Sequence, residues 1–207
     1  MISRIVLTVL LIASVAFIVK EGPASAQPAY VSAQANPGSS HRLAESMQAK
    51  LDHIQQNAHQ ARPDQTPTAM TEEEVNDYIA SGHIMLPQGV KKLRLEGRSG
   101  VVTAFVNVDF DEIRAGQRSA NPMLSVFSGQ HDVRVEASAS GAEGQGKVSV
   151  REVTIDGFSV PRMALEYFVS KYISPKYPNI GIDSEFQLPD KIDLATVGYH
   201  KVTVTQR

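Results

Sequence analysis

Two periodicities divide this chain. From Val133 to Ala139 the apolar residues (Val133, Val135, Ala137, Ala139) alternate with Asp132, Arg134, Glu136 and Ser138, the pattern of a strand with one buried face. Val101–Phe110 alternates less strictly. Val102, Ala104, Val106 and Val108 face one way and Val101, Thr103 and Phe105 the other, which predicts partial cover on both sides. Val90–Leu95 pairs with it through a turn at Glu96–Gly100. Gly141–Gly146 is a loose hairpin loop leading into Lys147–Asp156. There the phase slips by one near Arg151–Glu152, between Val148/Val150 and Val153/Ile155. Such a slip predicts a β-bulge that bends the strand. Ile182–Leu188, Ile192–Leu194 and Tyr199–Thr205 read as closing strands.

The helical period appears elsewhere. Ser40–Ala61 places Leu43, Met47, Leu51, Ile54 and Ala58 on one narrow side and is broken by Arg62-Pro-Asp-Gln-Thr-Pro67. Thr71-Glu-Glu-Glu74 is a capping box opening a short helix with Val75, Tyr78 and Ile79 on its apolar face and Gly82 as its stop. Asp109–Gln117 predicts another short helix. The most apolar helix is expected after Asp156-Gly-Phe-Ser-Val-Pro161, with Ser159 as N-cap and Pro161 near the first turn. Leu165, Phe168, Val169 and Tyr172 then form one stripe running toward Ile173. Pro175 and Pro178 mark the loop beyond. Arg118–Gln130 carries Pro122 and the cluster Met123, Leu124, Val126 and Phe127, either a loop folded onto the core or an exposed lip.

Hairpins without alternating βα units argue for an antiparallel α+β domain. The expected architecture is a strongly curved antiparallel sheet wrapped around the long apolar helix after Pro161, preceded by one or two N-terminal helices. The chain divides into a leader (1–26), a tether with the first helix (27–69) and the curved-sheet domain (70–207). The leader has Arg4, an apolar run from Ile5 to Val19, and Ala24-Ser25-Ala26 as a small-x-small site. That run suits a secretory signal and is short for a spanning helix. Cleavage before Gln27 is the first reading. An uncleaved N-terminal anchor is the second, because Lys20-Glu-Gly-Pro23 intervenes. Both place the folded part outside the cytoplasm, in a periplasmic or extracellular setting, and a bacterial envelope suits a disulfide-free exported chain.

Composition narrows the chemistry. The 207 residues contain no cysteine, which excludes disulfides, thiolate metal sites, a cysteine nucleophile and a lipidated cysteine. Net charge is −2. A mildly acidic chain without a basic cluster is a poor nucleic-acid binder and no polybasic membrane binder. Peripheral membrane contact would have to come from apolar burial.

The order of elements resembles small bacterial extracytoplasmic proteins of the tubular lipid-binding type. The resemblance is carried by Thr71, Glu74, Asn76 and Tyr78 in the Thr-Glu-Glu-x-Val-Asn helix. It is carried also by the Val-Asn-Val-Asp-Phe strand and by Gly157, Val160 and Pro161 in the strand-to-helix passage. It covers roughly residues 70–206; the tether and first helix lie outside it. It implies a non-enzymatic protein that binds lipid or another apolar ligand between helix and sheet. The groove residues expected on that basis are Met123, Leu124, Phe127, Met163, Phe168 and Tyr172. The competing reading of the same apolar clusters is ordinary core, and the alternative function is an envelope module that docks a protein partner.

No constellation points to catalysis or a metal. The histidines at 41, 53, 59, 83, 131 and 200 show no HExxH or i, i+4 pairing. Glu72–Glu74 and Asp109–Glu112 lack the alternation and sharp glycine of a calcium loop. Ser128-Gly129-Gln130 is not a nucleophile elbow, and the Gly141–Gly146 loop opens a strand, not a phosphate-binding helix. No cofactor, no metal and no enzymatic activity are expected.

Overall fold

The computed structural model describes residues 37–86, 88–115, 128–170 and 181–207. Its elements, in order, are α1 (Pro37–Ala58), β1 (Thr68–Thr71), α2 (Glu72–Ala80), β2 (Val90–Arg98), β3 (Val101–Asp109), α3 (Phe110–Ala115), β4 (Gln130–Ala142), β5 (Gln145–Ile155), β6 (Phe158–Ser159), α4 (Arg162–Phe168), β7 (Asp183–Gln187), β8 (Ile192–Gly198) and β9 (Lys201–Gln206). Every strand pairing is antiparallel.

β4 is the hub. On one edge it pairs with β5 from Val133↔Ile155 to Ala142↔Gln145. On the other it pairs with β3 from Asp109↔Gln130 to Val101↔Ser138. Past the end of β3 that second edge passes to β8, through Ser140↔Thr196 and Gly141↔Ala195. The sheet therefore has two parts, β2-β3-β4-β5-β7 and β8-β9-β1, joined where β3 stops. The β2–β3 and β8–β9 turns lock across the same seam: Gly100 N–H donates to Val197 O at 2.8 Å and His200 N–H to Gly97 O at 2.9 Å.

The bulge falls where the phase slips. Register jumps from Glu136↔Glu152 to Ala137↔Val150, so Arg151 is the extra residue. The alternating residues of β3 and β4 make the main core: Val108, Val135 and Ala137 are at most 1 % exposed, and β2, β5 and Leu165 pack onto them. β1 is missing from the sequence reading. Its four residues, Thr-Ala-Met-Thr, bury only Met70 and are too few to show a period.

The expected architecture needs correction. The sheet is not wrapped around a long apolar helix. The helix after Pro161 is the seven-residue α4, with Pro161 rather than Ser159 at its N-cap and no side-chain cap. Leu165 and Val169 are buried, but Met163 and Tyr167 on the same segment are exposed. A pattern at i, i+3, i+4 states which residues share a side, not how far a helix runs. The long helix of the described chain is α1, at the other end of the sequence and polar on its outer side. Its buried side is Ala44, Met47, Leu51, Ile54 and Asn57, close to the expected stripe but rotated toward Ala44 and Asn57. No described helix is long and apolar enough to cross a membrane.

Candidate functional site

Two helices cover the face of the sheet around the seam, and their placement follows from a few polar contacts. Thr71 caps α2: Glu74 N–H donates to Thr71 Oγ1 at 3.2 Å, and Thr71 N–H donates to Glu74 Oε2 at 2.7 Å. That completes the capping box foreseen from sequence. Glu74 does more than close it. Its carboxylate, 5 % exposed, accepts from Ser46 Oγ at 2.6 Å and from Lys50 Nζ at 2.7 and 2.6 Å. Burial alone would raise its pKa, but Lys50, Ser46 and the Thr71 amide outweigh it and hold the group down at about 2. Tyr78 O–H donates to Gln48 Oε1 at 2.5 Å, a second link between the helices. Burial, and secondarily the charge of Asp52, push that phenol up.

Asn76 ties α2 to the sheet. Its Nδ2 donates to Leu95 O and its Oδ1 accepts from Leu95 N–H, both at 2.8 Å. The side-chain amide thus imitates a strand partner on the edge of β2, which would otherwise be open to another chain. At the C-terminal end of α1, Asn57 Nδ2 donates to Gln206 Oε1 at 2.8 Å, which links that helix to β9.

Between this two-helix roof and the sheet lies a cavity of about 200 Å³. Met47, Leu51 and Ile54 of α1 and Val75, Tyr78 and Ile79 of α2 line it from above. Leu95, Val102, Ala139 and Val148 come from the larger part of the sheet, and Val197, Val202, Val204 and Met70 from the smaller. The lining is apolar apart from Glu72, Glu96, Lys201 and Ser140. Glu72 Oε2 accepts from Gly97 N–H at 2.9 Å and lies 2.8 Å from His200 Nδ1. Glu96 pairs with Arg94 at 2.6 Å. The volume exceeds the roughly 150 Å³ of an engineered apolar cavity that takes up benzene. It would admit one ring or one short chain, not a two-chain lipid.

The groove residues expected from sequence are placed elsewhere. Met123, Leu124, Phe127 and Tyr172 lie outside the described residues. Phe168 ends α4, and its side chain also lies outside them. Met163 is 81 % exposed and lines neither cavity. Against α4 there is a depression of about 290 Å³ whose wall includes Arg151, Glu152, Arg162 and Ser159 as well as Leu165 and Ile182. Its charged wall makes it a poor seat for an apolar guest. The residues that line the apolar cavity were visible in part. Met47, Leu51, Ile54, Val75, Tyr78 and Ile79 read as helix faces, but nothing local says that the two faces share one space.

Titratable pairs elsewhere are structural in character. His131 Nδ1 lies 2.5 Å from Asp156 Oδ2, and its other ring nitrogen lies 3.2 Å from the Ser128 carbonyl. The bond from His131, with a second from the Asp132 amide, lowers the Asp156 pKa. Both hold Asp156 in the left-handed region at φ 50° in the β5–β6 turn. Among the described residues no three His, Asp or Glu side chains are grouped to hold a metal ion. No family model matches the chain, and no curated protein or solved structure gives a significant match.

Proposed function

We propose that this protein is a non-enzymatic, exported binder of an apolar small molecule, held in the cavity between α1, α2 and the sheet seam. The observation that carries the reading is the cavity itself, about 200 Å³ with a nearly continuous apolar wall drawn from both helices and eight strands. An empty void of that size lowers stability through lost contacts. A bound guest restores those contacts. The leader-like N-terminus supports an exported setting, where a carrier of poorly soluble molecules has a use, and the resemblance to tubular lipid-binding proteins points the same way. The size of the space narrows the guest to a single ring or a single short chain.

The test is native mass spectrometry of the protein purified from a lipid-containing host, together with titration of an apolar fluorophore. Retained small apolar mass and saturable fluorophore uptake are expected. Ala139→Leu and Val202→Phe, which add volume to the cavity wall, should abolish uptake and leave the fold intact. Uptake unchanged in both filled variants would remove the cavity from the function.

A further inference from the structure

We propose that the guest is uncharged throughout, a hydrocarbon or single ring with no ionised head, and that the site refuses carboxylates and amines of the same size. The proposal rests on the cavity being a ligand site and adds the class of molecule that it selects.

Each charged or hydroxyl-bearing residue of the lining either turns its polar end away from the space or is already matched. Lys201 is exposed at the start of β9. Val202 and Val204 face the cavity, so the residue before Val202 projects from the opposite face of the strand. Glu96 stands in the same relation to Leu95. Leu93 and Leu95 are buried on the inner face of β2. Glu96 pairs on the other face with Arg94, whose guanidinium lies 4.7 Å from the centre of the Phe105 ring. Ser140 is exposed, one residue after the inward Ala139 on β4. Glu72 is held at the seam, with Oε2 on the Gly97 amide and beside His200. The Tyr78 hydroxyl is taken by Gln48. No buried side-chain nitrogen or oxygen of the lining lacks a hydrogen-bond partner.

That wall selects by what it withholds. A hydrocarbon or ring leaves water and covers apolar surface. An ionised group making the same move loses its hydration and gains no counter-charge, a cost that the contacts of one ring do not repay. A carboxylate therefore enters only after taking up a proton, and an amine only after losing one.

The experiment uses toluene, benzoate and benzylamine, which share one ring and differ in the charge of a single substituent. Each displaces the apolar fluorophore from the full chain. At pH 7 toluene is expected to bind at least about a hundredfold more tightly than either ion, with an affinity that does not change with pH. Apparent benzoate affinity should rise about tenfold for each unit as pH falls from 7 to 5, following its neutral fraction. Benzylamine should strengthen in the opposite direction, by about tenfold for each unit as pH rises from 7 to 9. Benzoate or benzylamine within tenfold of toluene at pH 7 would overturn the proposal, and so would an affinity for either ion that does not move with pH. Benzylamine tighter than toluene would do the same and would bring Glu72 into the site. In each of those cases displacement of the fluorophore leaves the cavity reading standing. Failure of all three compounds to displace it at any pH would defeat both.

Discussion

Asn57 and Gln206 share a buried hydrogen bond of 2.8 Å across 149 residues of sequence. Asn57 Nδ2 also donates to Asp64 O at 2.8 Å, and its Oδ1 accepts from Asp64 N–H at 2.8 Å. Gln206 Nε2 donates to Ile54 O at 2.7 Å and Asp190 O at 2.6 Å. The second-last residue of the chain thus fastens the end of α1 to β9 and to the turn before β8. A buried polar group is tolerated only when its partners are present, so this network fixes where α1 sits over the cavity.

Asn57→Ala should cost about 2–3 kcal/mol, since it strands Gln206 Oε1 and the Asp64 backbone without partners. Gln206→Ala should cost a similar amount. Urea unfolding of both single variants and the double variant checks the coupling. The double variant should fall short of the sum by about 1 kcal/mol or more. Strict additivity would show that the two amides act separately.

Glu74 gives the fold an acid-sensitive joint. Its folded pKa, about 2, lies below the ordinary carboxylate value. The linked stability is therefore fully present above the unfolded pKa and is lost as pH falls through the folded one. Urea midpoints should hold from neutrality to about pH 5 and decline from there toward pH 2, with about 3 kcal/mol at stake. Exposed carboxylates lowered by hydrogen bonds from Thr66 (Asp64) and Ser149 (Asp183) add little to this, being screened by solvent. Glu74→Gln should be less stable at neutral pH and should flatten that decline. An equally steep acid limb in Glu74→Gln would place the sensitivity elsewhere.

How much of this was legible in sequence depends on the range of the interaction. The capping box at Thr71–Glu74, the β3 and β4 faces and the bulge at Arg151 are written within a few residues, and the structure has them where the pattern placed them. The roles of Glu74 and Asn76 in joining elements were not visible. Ser46 lies 28 residues from Glu74 and Leu95 lies 19 from Asn76, and a glutamate at N3 looks the same with or without a lysine across from it. The α1 stripe looked weak because two of its five buried residues are Ala44, which is small, and Asn57, which is polar. The architecture was misjudged because the apolar run after Pro161 was taken to be one long helix. The described helix there has seven residues, and the polar-looking N-terminal segment supplies the long one.

The two sides of α4 should respond in opposite ways to the same substitution. Leu165 is 7 % exposed and packs with the β4–β5 core, whereas Met163 is 81 % exposed. Leu165→Asp would bury an unpaired charge, at a cost of at least several kcal/mol, comparable to the stability of a whole domain. Insoluble or unfolded protein is the expected result. Met163→Asp should change the melting temperature by no more than a degree or two, in line with surface substitutions of about 0.5 kcal/mol. A folded, soluble Leu165→Asp protein would take α4 out of the core.

Gly141 is the narrow point of the seam. A Cβ there would stand 2.8 Å from Leu188 Cδ1 and 2.9 Å from the Ala195 Cβ, closer than carbon atoms pack. β4 can pass from β3 to β8 at this point only because the residue has no side chain. Gly141→Ala must therefore push β8 and Leu188 outward, with an expected loss of about 1–3 kcal/mol from overpacking. Leu188 and Ala195 also line the cavity, so the displacement should weaken fluorophore uptake as well as lower the melting temperature. Ala195→Gly added to Gly141→Ala takes away one of the two opposing carbons and should recover part of both losses. Ala195→Gly alone should only destabilise, because it enlarges a void in a strand. If the second substitution worsened Gly141→Ala by the amount it costs alone, the close approach of β4 and β8 would not be what requires glycine at this position.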